Sequence, residues 1–147
     1  VNYFGTMNSI NSVYSYFSTK RSGQISIISS VAGYRGLPAA GGYCASKSAL
    51  TSFTESLHFE MKRKNVRVSL VSPGFIKTPM TDQNDFPMPM IKSPEFAAEQ
   101  IYIGLVKKKS FEIHFPKIFT YFLKFLRILP SSIYFKFVDR GMKKINY

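Results

Sequence analysis

Acidic side chains are scarce in this chain, cysteine is nearly absent, and no glycine-rich phosphate turn occurs. Eight Asp and Glu stand against twenty Lys and Arg, for a formal net charge of +12. The single cysteine, Cys44, excludes an internal disulfide and fits a reducing compartment such as the cytoplasm. Neither Gly-x-x-x-Gly-x-Gly nor Gly-x-Gly-x-x-Gly occurs, so the chain brings no diphosphate-cradling turn of its own. His58 and His114 stand alone, without Cys or carboxylate partners at metal-ligand spacing, and both read as structural. The mostly apolar stretch Ile118–Leu129 has 12 residues, fewer than the ~20 a helix needs to cross a bilayer. The positive charge is uneven: residues 106–147 hold ten basic and two acidic side chains, a net +8.

What is present is a spaced set of proton-handling groups. The run Ile25-Ser26-Ile27-Ile28-Ser29-Ser30 reads as a buried strand closed by Ser30. Thirteen residues later Tyr43-Cys44-Ala45-Ser46-Lys47 opens a helix, on which Tyr43 and Lys47 share one face. A free phenol titrates near ~10, and a neighbouring ammonium favours its ionised form, which makes it a usable general acid or base. Ser30 can donate a hydrogen bond to a carbonyl oxygen on which charge develops. The blander alternatives are an ordinary amphipathic helix start and a hydroxyl that caps its own loop. A second Tyr-x-x-x-Lys, Tyr16 to Lys20, lacks a serine-bearing strand ahead of it and is read as chance.

The segment Gly23–Gly33 resembles the active-site serine strand of the short-chain dehydrogenase/reductase family, and Tyr43–Lys47 resembles its Tyr-x-Ala-Ser-Lys motif. Val66–Thr78, with Pro73-Gly74, resembles the strand and Pro-Gly loop that follow, and Val1-Asn2-Tyr3-Phe4-Gly5 resembles the segment carrying a catalytic asparagine. The resemblance covers roughly residues 1–115. It implies an NAD- or NADP-dependent oxidoreductase that interconverts a ketone and a secondary alcohol. Tyr43 would be the general acid/base, Lys47 would assist it and bind the nicotinamide ribose, Ser30 would polarise the substrate oxygen, and Asn2 would hold a water linked to Lys47. Ser29 is the second choice for the serine. Cofactor contacts would come from Tyr43, Lys47, the Pro73-Gly74 loop, Ile76 and Thr78. The chain opens on Val1, inside a matched segment, which suggests a piece of a longer protein whose earlier half carries the phosphate loop and the NAD-versus-NADP selector.

The expected fold is α/β, the later part of a doubly wound parallel-sheet (Rossmann-type) domain, with a basic helical extension over 116–147. Periodicity and caps predict helix to 19, strand 24–30, loop 31–42, helix 43–64, strand 66–71, helix 94–107 and strand 110–115. Leu50, Phe53, Leu57 and Met61 form the core stripe of the long helix. The loop 77–93, with Met80, Met88 and Met90, reads as a lid suited to an apolar substrate. In the extension, Thr120, Lys124 and Arg127 share one narrow face of Ile118–Leu129; Pro130 breaks that helix, and Ser131 or Ser132 caps a second one. Two readings of the extension stay open: a basic amphipathic pair on a membrane surface, or a helical extension packed on the domain or on a second subunit. A non-catalytic membrane-peripheral or interaction module is the alternative to the enzyme. A homo-oligomer is compatible with either, and no nucleic-acid motif is present.

Overall fold

A computed structural model describes residues 2–79, 81–84 and 86–143. Val1, Met80 of the expected lid and the end of the tail from residue 144 lie outside the described residues. Three parallel strands, β1 (Gln24–Ile28), β2 (Arg67–Pro73) and β3 (Glu112–Phe115), form a sheet in the order β1-β2-β3. Helices α1 (Asn2–Lys20) and α2 (Gly41–Lys62) pack on one face. Helix α3 (Pro94–Tyr102) packs on the other. Helices α4 (Lys117–Ile128) and α5 (Ser131–Lys143) follow β3.

The strand register sorts the side chains between the two faces. Ile25 and Ile27 lie opposite Val68 and Leu70. Ile25, Ile27 and Val68 join Ile10, Leu50, Leu57 and Met61 in the core under α1 and α2, with Phe53 half-buried at its margin. Val71 lies opposite Ile113, and both face α3 with Ala97 and Phe115. Strand alternation therefore builds two cores from one sheet. On the α2 side, the C-terminal half of the sheet carries polar groups instead: Ser72 beside His114, and Glu112.

Most element ends lie within two residues of the sequence expectation (α2 Gly41–Lys62 for 43–64, β2 Arg67–Pro73 for 66–71, β3 Glu112–Phe115 for 110–115), and two depart in kind. The strand predicted over 24–30 stops at Ile28. The Ser29 amide still bonds the Val71 carbonyl at 2.7 Å, but Ser30 turns away to cap a 3-10 turn, Val31–Gly33. The helix predicted over 94–107 is α-helical only to Tyr102 and closes in a π-helical turn, Ile103–Lys107. Gly104 sits on β3 there so closely that a Cβ would lie 2.5 Å from an Ile113 side-chain carbon. Ser93 caps α3 by accepting from the Phe96 amide, with Pro94 at the first helical position, as the sequence predicts.

Helix α4 joins the body through buried polar contacts. Thr120, fully buried, sets its hydroxyl 3.1 and 3.0 Å from the Pro116 and Lys117 carbonyls and shares a hydrogen bond of 2.6 Å with His114 Nδ1. Burial, then the charges of Lys124 and Lys117, lower the His114 pKa to about 4. That is below its ordinary 6.5, so folding favours the neutral ring. The stabilisation is complete above ~6.5 and is lost as pH falls toward the folded value, by ~3 kcal/mol at most. Denaturant midpoints measured between pH 7 and pH 4 should fall over that window, and more shallowly in His114→Gln.

Candidate functional site

The proton-handling residues gather at the C-terminal ends of β1 and β2, where open parallel sheets bind ligands. The two adjacent serines have different surroundings. Ser29 is buried; its Oγ donates to the Lys47 carbonyl at 2.9 Å and lies 3.2 Å from the Thr51 hydroxyl. Ser30 is half-buried, and its Oγ accepts from the Ala32 amide at 3.2 Å. The bland reading of Ser30 as a loop cap is therefore true as far as it goes. That bond uses a lone pair and leaves the hydroxyl proton free to donate.

Tyr43 lies in the first turn of α2 and is 43% exposed. Among the described residues no hydrogen bond holds its hydroxyl. The Lys47 ammonium lies 5.7 Å from the centroid of its ring. The same ammonium donates to the Ile28 carbonyl at 3.2 Å, reaching from α2 to the end of β1. Burial pushes the Lys47 pKa below its ordinary value. One lysine thus touches the strand end two residues before Ser30 and flanks the phenol. The second pair is a surface contact on α1, with Lys20 Nζ donating to the exposed Tyr16 hydroxyl at 3.0 Å.

The serine turn meets α2 at close range. Gly33 lies against the backbone of Lys47, where a Cβ would come within 2.8 Å of the carbonyl oxygen. Ser48 donates to the Gly33 carbonyl at 2.9 Å. Cys44 is buried, with Sγ 3.4 Å from the Leu37 amide, which agrees with a structural role.

The remaining sequence-predicted residues are spread more widely. Asn2 opens α1 with an exposed side chain, its carbonyl accepting from the Thr6 hydroxyl. Among the described residues no hydrogen bond joins it to Lys47. Pro73 ends β2, and the Gly74 amide donates to the Phe115 carbonyl at 2.8 Å. Ile76 packs against the α3-side core and bridges to Lys92. The Thr78 amide donates to the Thr81 hydroxyl at 2.8 Å, and that hydroxyl also contacts the Ile76 carbonyl at 2.8 Å. Thr81 thus fixes the loop carrying both residues.

Sequence reasoning missed the residues that hold the serine loop from the far side. Arg35 donates to the Leu126 and Leu129 carbonyls at 2.7 and 2.8 Å, at the C-terminal end of α4, where a cation is favoured. Its guanidinium stacks 3.9 Å from the Tyr134 ring centroid, and the Tyr134 hydroxyl donates to the Gly36 carbonyl at 2.6 Å. Next to Arg35, buried Tyr34 donates to Glu112 Oε1 at 2.6 Å. Burial and that carboxylate raise the Tyr34 pKa and keep the phenol a donor. Burial pushes the Glu112 carboxyl up, but hydrogen bonds from Lys124 and Tyr34 outweigh it, and the net shift is downward. No sequence signal flags these contacts, because the Arg35 and Tyr134 bonds span 91 to 98 residues.

Known proteins resemble this chain in sequence and in fold. The sequence profile of the family described as short chain dehydrogenase matches residues 1–87. An uncharacterized oxidoreductase of Myxococcus xanthus is 32% identical over 133 residues, 90% of this chain and 52% of the relative. A dehydrogenase/reductase SDR family protein 7-like of Drosophila melanogaster is 32% identical over 156 residues, 99% of this chain and 48% of the relative. The chain spans about half the length of these curated relatives. Among solved structures, a short chain dehydrogenase from Burkholderia cenocepacia in complex with NADP superimposes with a TM-score of 0.79 at 26% identity, covering 92% of this chain and 55% of the other.

Proposed function

The chain belongs to the short chain dehydrogenase family, and on that footing we propose that it carries the proton-handling half of an NAD(P)-dependent oxidoreductase acting on a ketone or secondary alcohol. Residues 1–115 would be the catalytic portion and 116–147 an extension of it. The observation that carries the reading is Lys47, which bonds the end of β1 beside Ser30 and flanks the Tyr43 ring.

The donor set fits the nicotinamide-ribose end of the cofactor: a phenol, a hydroxyl and an ammonium at the C-terminal ends of parallel strands. Ile76 and Thr78 would reach the nicotinamide carboxamide or a phosphate, and the sequence has no glycine-rich turn to cradle the diphosphate. When bound, the nicotinamide supplies or accepts the hydride. In the reducing direction Tyr43 donates its hydroxyl proton to the carbonyl oxygen, and Ser30 donates a hydrogen bond to the same oxygen. Lys47 would bind the ribose and would hold positive charge beside the phenolate that results. Pro73, Gly74, Ile76 and Thr78, at and after the end of β2, would contact the nicotinamide end of the cofactor, and Asn2 would hold a water linked to Lys47. An apolar substrate is supported by the aromatic contact of Phe75 with Phe86 and with Phe119 of α4, beside the methionine-bearing loop.

The two serines test these roles against each other. Ser30→Ala should lower carbonyl turnover by ~10²-fold or more, as loss of an oxyanion donor does, with thermal stability little changed. Ser29→Ala should lower stability by about 1–2 kcal/mol through a lost buried hydrogen bond, while the folded enzyme keeps its turnover. The reverse pattern would move the catalytic role to Ser29. A second reading is favoured by one observation, the apolar face that α4 turns outward, and it assigns residues 116–147 to contact with a membrane surface.

A further inference from the structure

Helix α4 turns polar side chains inward and leaves an apolar stripe outward. Its polar residues Thr120 and Lys124 point at the sheet, where they meet His114 and Glu112. Its apolar residues Ile118, Phe122, Phe125 and Ile128 point away, with Ile118 76% and Ile128 77% exposed, while the partly exposed Tyr121 ring meets His114 edge-on at 5.1 Å and Phe119 and Leu126 pack inward. Their spacing of three and four puts all four on one helix face. Phe122 meets Phe137 of α5 at 5.9 Å between ring centroids, so the stripe continues onto the second helix beside exposed Ile133. Among the described residues nothing covers this face. A contiguous apolar patch of this kind marks an interaction surface.

Charge selects the occupant. Residues 106–147 carry a net +8, and one of their two carboxylates, Glu112, is already paired with Lys124. Lys136 and Arg140, both exposed, form the row beside Ile133 and Phe137 on α5. A second copy would bring a like-charged tail to the same face, whereas an anionic surface offers the opposite charge. Among the described residues no helix is long and apolar enough to cross a membrane. A helix pair with an apolar stripe and flanking cations instead lies in the interface plane.

We propose that α4 and α5 dock in-plane on an anionic lipid bilayer, the α4 stripe and Phe137 entering the headgroup–acyl boundary and Lys136 and Arg140 meeting the lipid phosphates. The proposal rests on the reading that residues 116–147 contact a membrane surface, and adds the face and the lipid charge. The Arg35 contacts tie the end of α4 to the loop after Ser30, so docking also fixes how the catalytic end sits relative to the bilayer.

The test is co-sedimentation of the full-length protein with vesicles of phosphatidylcholine alone and of phosphatidylcholine mixed with phosphatidylserine. The expected result is binding to the mixed vesicles, little binding to neutral ones, and weakening as salt shortens the ~10 Å screening length of 0.1 M. Phe125→Asp and Ile118→Asp, both at exposed positions, should each lower the partition coefficient by ~10-fold or more. Lys136→Glu with Arg140→Glu should abolish the preference for anionic lipid. Phe59→Asp, on the exposed surface of α2, should leave binding unchanged. Circular dichroism and turnover on a soluble ketone, both retained in Phe125→Asp, would show that the fold and the oxidoreductase site are intact. Equal binding to both vesicle types would overturn the anionic assignment and leave the membrane reading standing. Absence of binding to either would overturn both. A dimer in solution that Phe125→Asp splits would give the face to a second copy and overturn the proposal.

Discussion

Replacing Tyr43 with Phe should lower carbonyl turnover by ~10²–10⁴-fold, the usual contribution of a positioned general acid or base. In activation free energy that is ~3–5 kcal/mol. The fold should not register the change, because the hydroxyl belongs to a side chain that is 43% exposed. Surface substitutions of this kind stay within ~0.5 kcal/mol. Tyr16→Phe is the matched control. It removes the same hydroxyl from a Tyr-x-x-x-Lys pair whose ammonium bond lies on the surface of α1. Cofactor-dependent turnover should be unchanged in Tyr16→Phe and nearly lost in Tyr43→Phe. Steady-state rates over a range of ketone concentrations check this, and full activity in Tyr43→Phe would remove Tyr43 from the chemistry.

A Gly33→Val substitution should damage stability and activity together. The added Cβ would lie 2.8 Å from the Lys47 carbonyl oxygen, 2.9 Å from its carbon and 3.1 Å from the Thr51 hydroxyl. Two of these are helix backbone atoms, so relief requires the serine turn and α2 to separate. Overpacking of this kind costs ~1–3 kcal/mol. At ~2–4 °C per kcal/mol for a domain of this size class, the melting temperature should fall by several degrees. Turnover should fall as well, because the turn carries Ser30 and the helix carries Tyr43 and Lys47. Gly36→Val, where a Cβ meets nothing within 4 Å, should leave both nearly unchanged. Thermal melts and turnover of the two variants check the contrast. Equal behaviour would show that the turn and the helix are not held as closely as the geometry requires.

The sequence made the helices and strands legible where local pattern decides them. The Leu50-Leu57-Met61 stripe, the Ser93-Pro94 cap and the Pro130 break all act within a turn or two of the chain. Spacing inside a strand-to-helix pattern made Ser30, Tyr43 and Lys47 a candidate trio, and the family resemblance singled it out from the Tyr16–Lys20 pair. The geometry separates what the sequence could not: Ser29 is tied to α2, and Ser30 keeps a free proton. The facing of α4 was not legible. The amphipathic pattern is plain, but its sense depends on polar Glu112 and His114 waiting on β3. The π-helical turn at Ile103–Lys107 likewise follows from the close approach of Gly104 to Ile113 and not from local propensity.

The central claim is that Tyr43 passes a proton to a carbonyl oxygen in a reduction whose hydride a bound nicotinamide would supply. Single-turnover reduction of a ketone by the full-length protein with reduced cofactor deuterated at nicotinamide C4 tests it most directly. The account predicts one deuterium on the carbinol carbon of the product, none taken up there from deuterated solvent, and formation of that product slowed ~10²-fold or more in Tyr43→Phe. Hydrogen from solvent at the carbinol carbon, or label transfer at the wild-type rate in Tyr43→Phe, would contradict it.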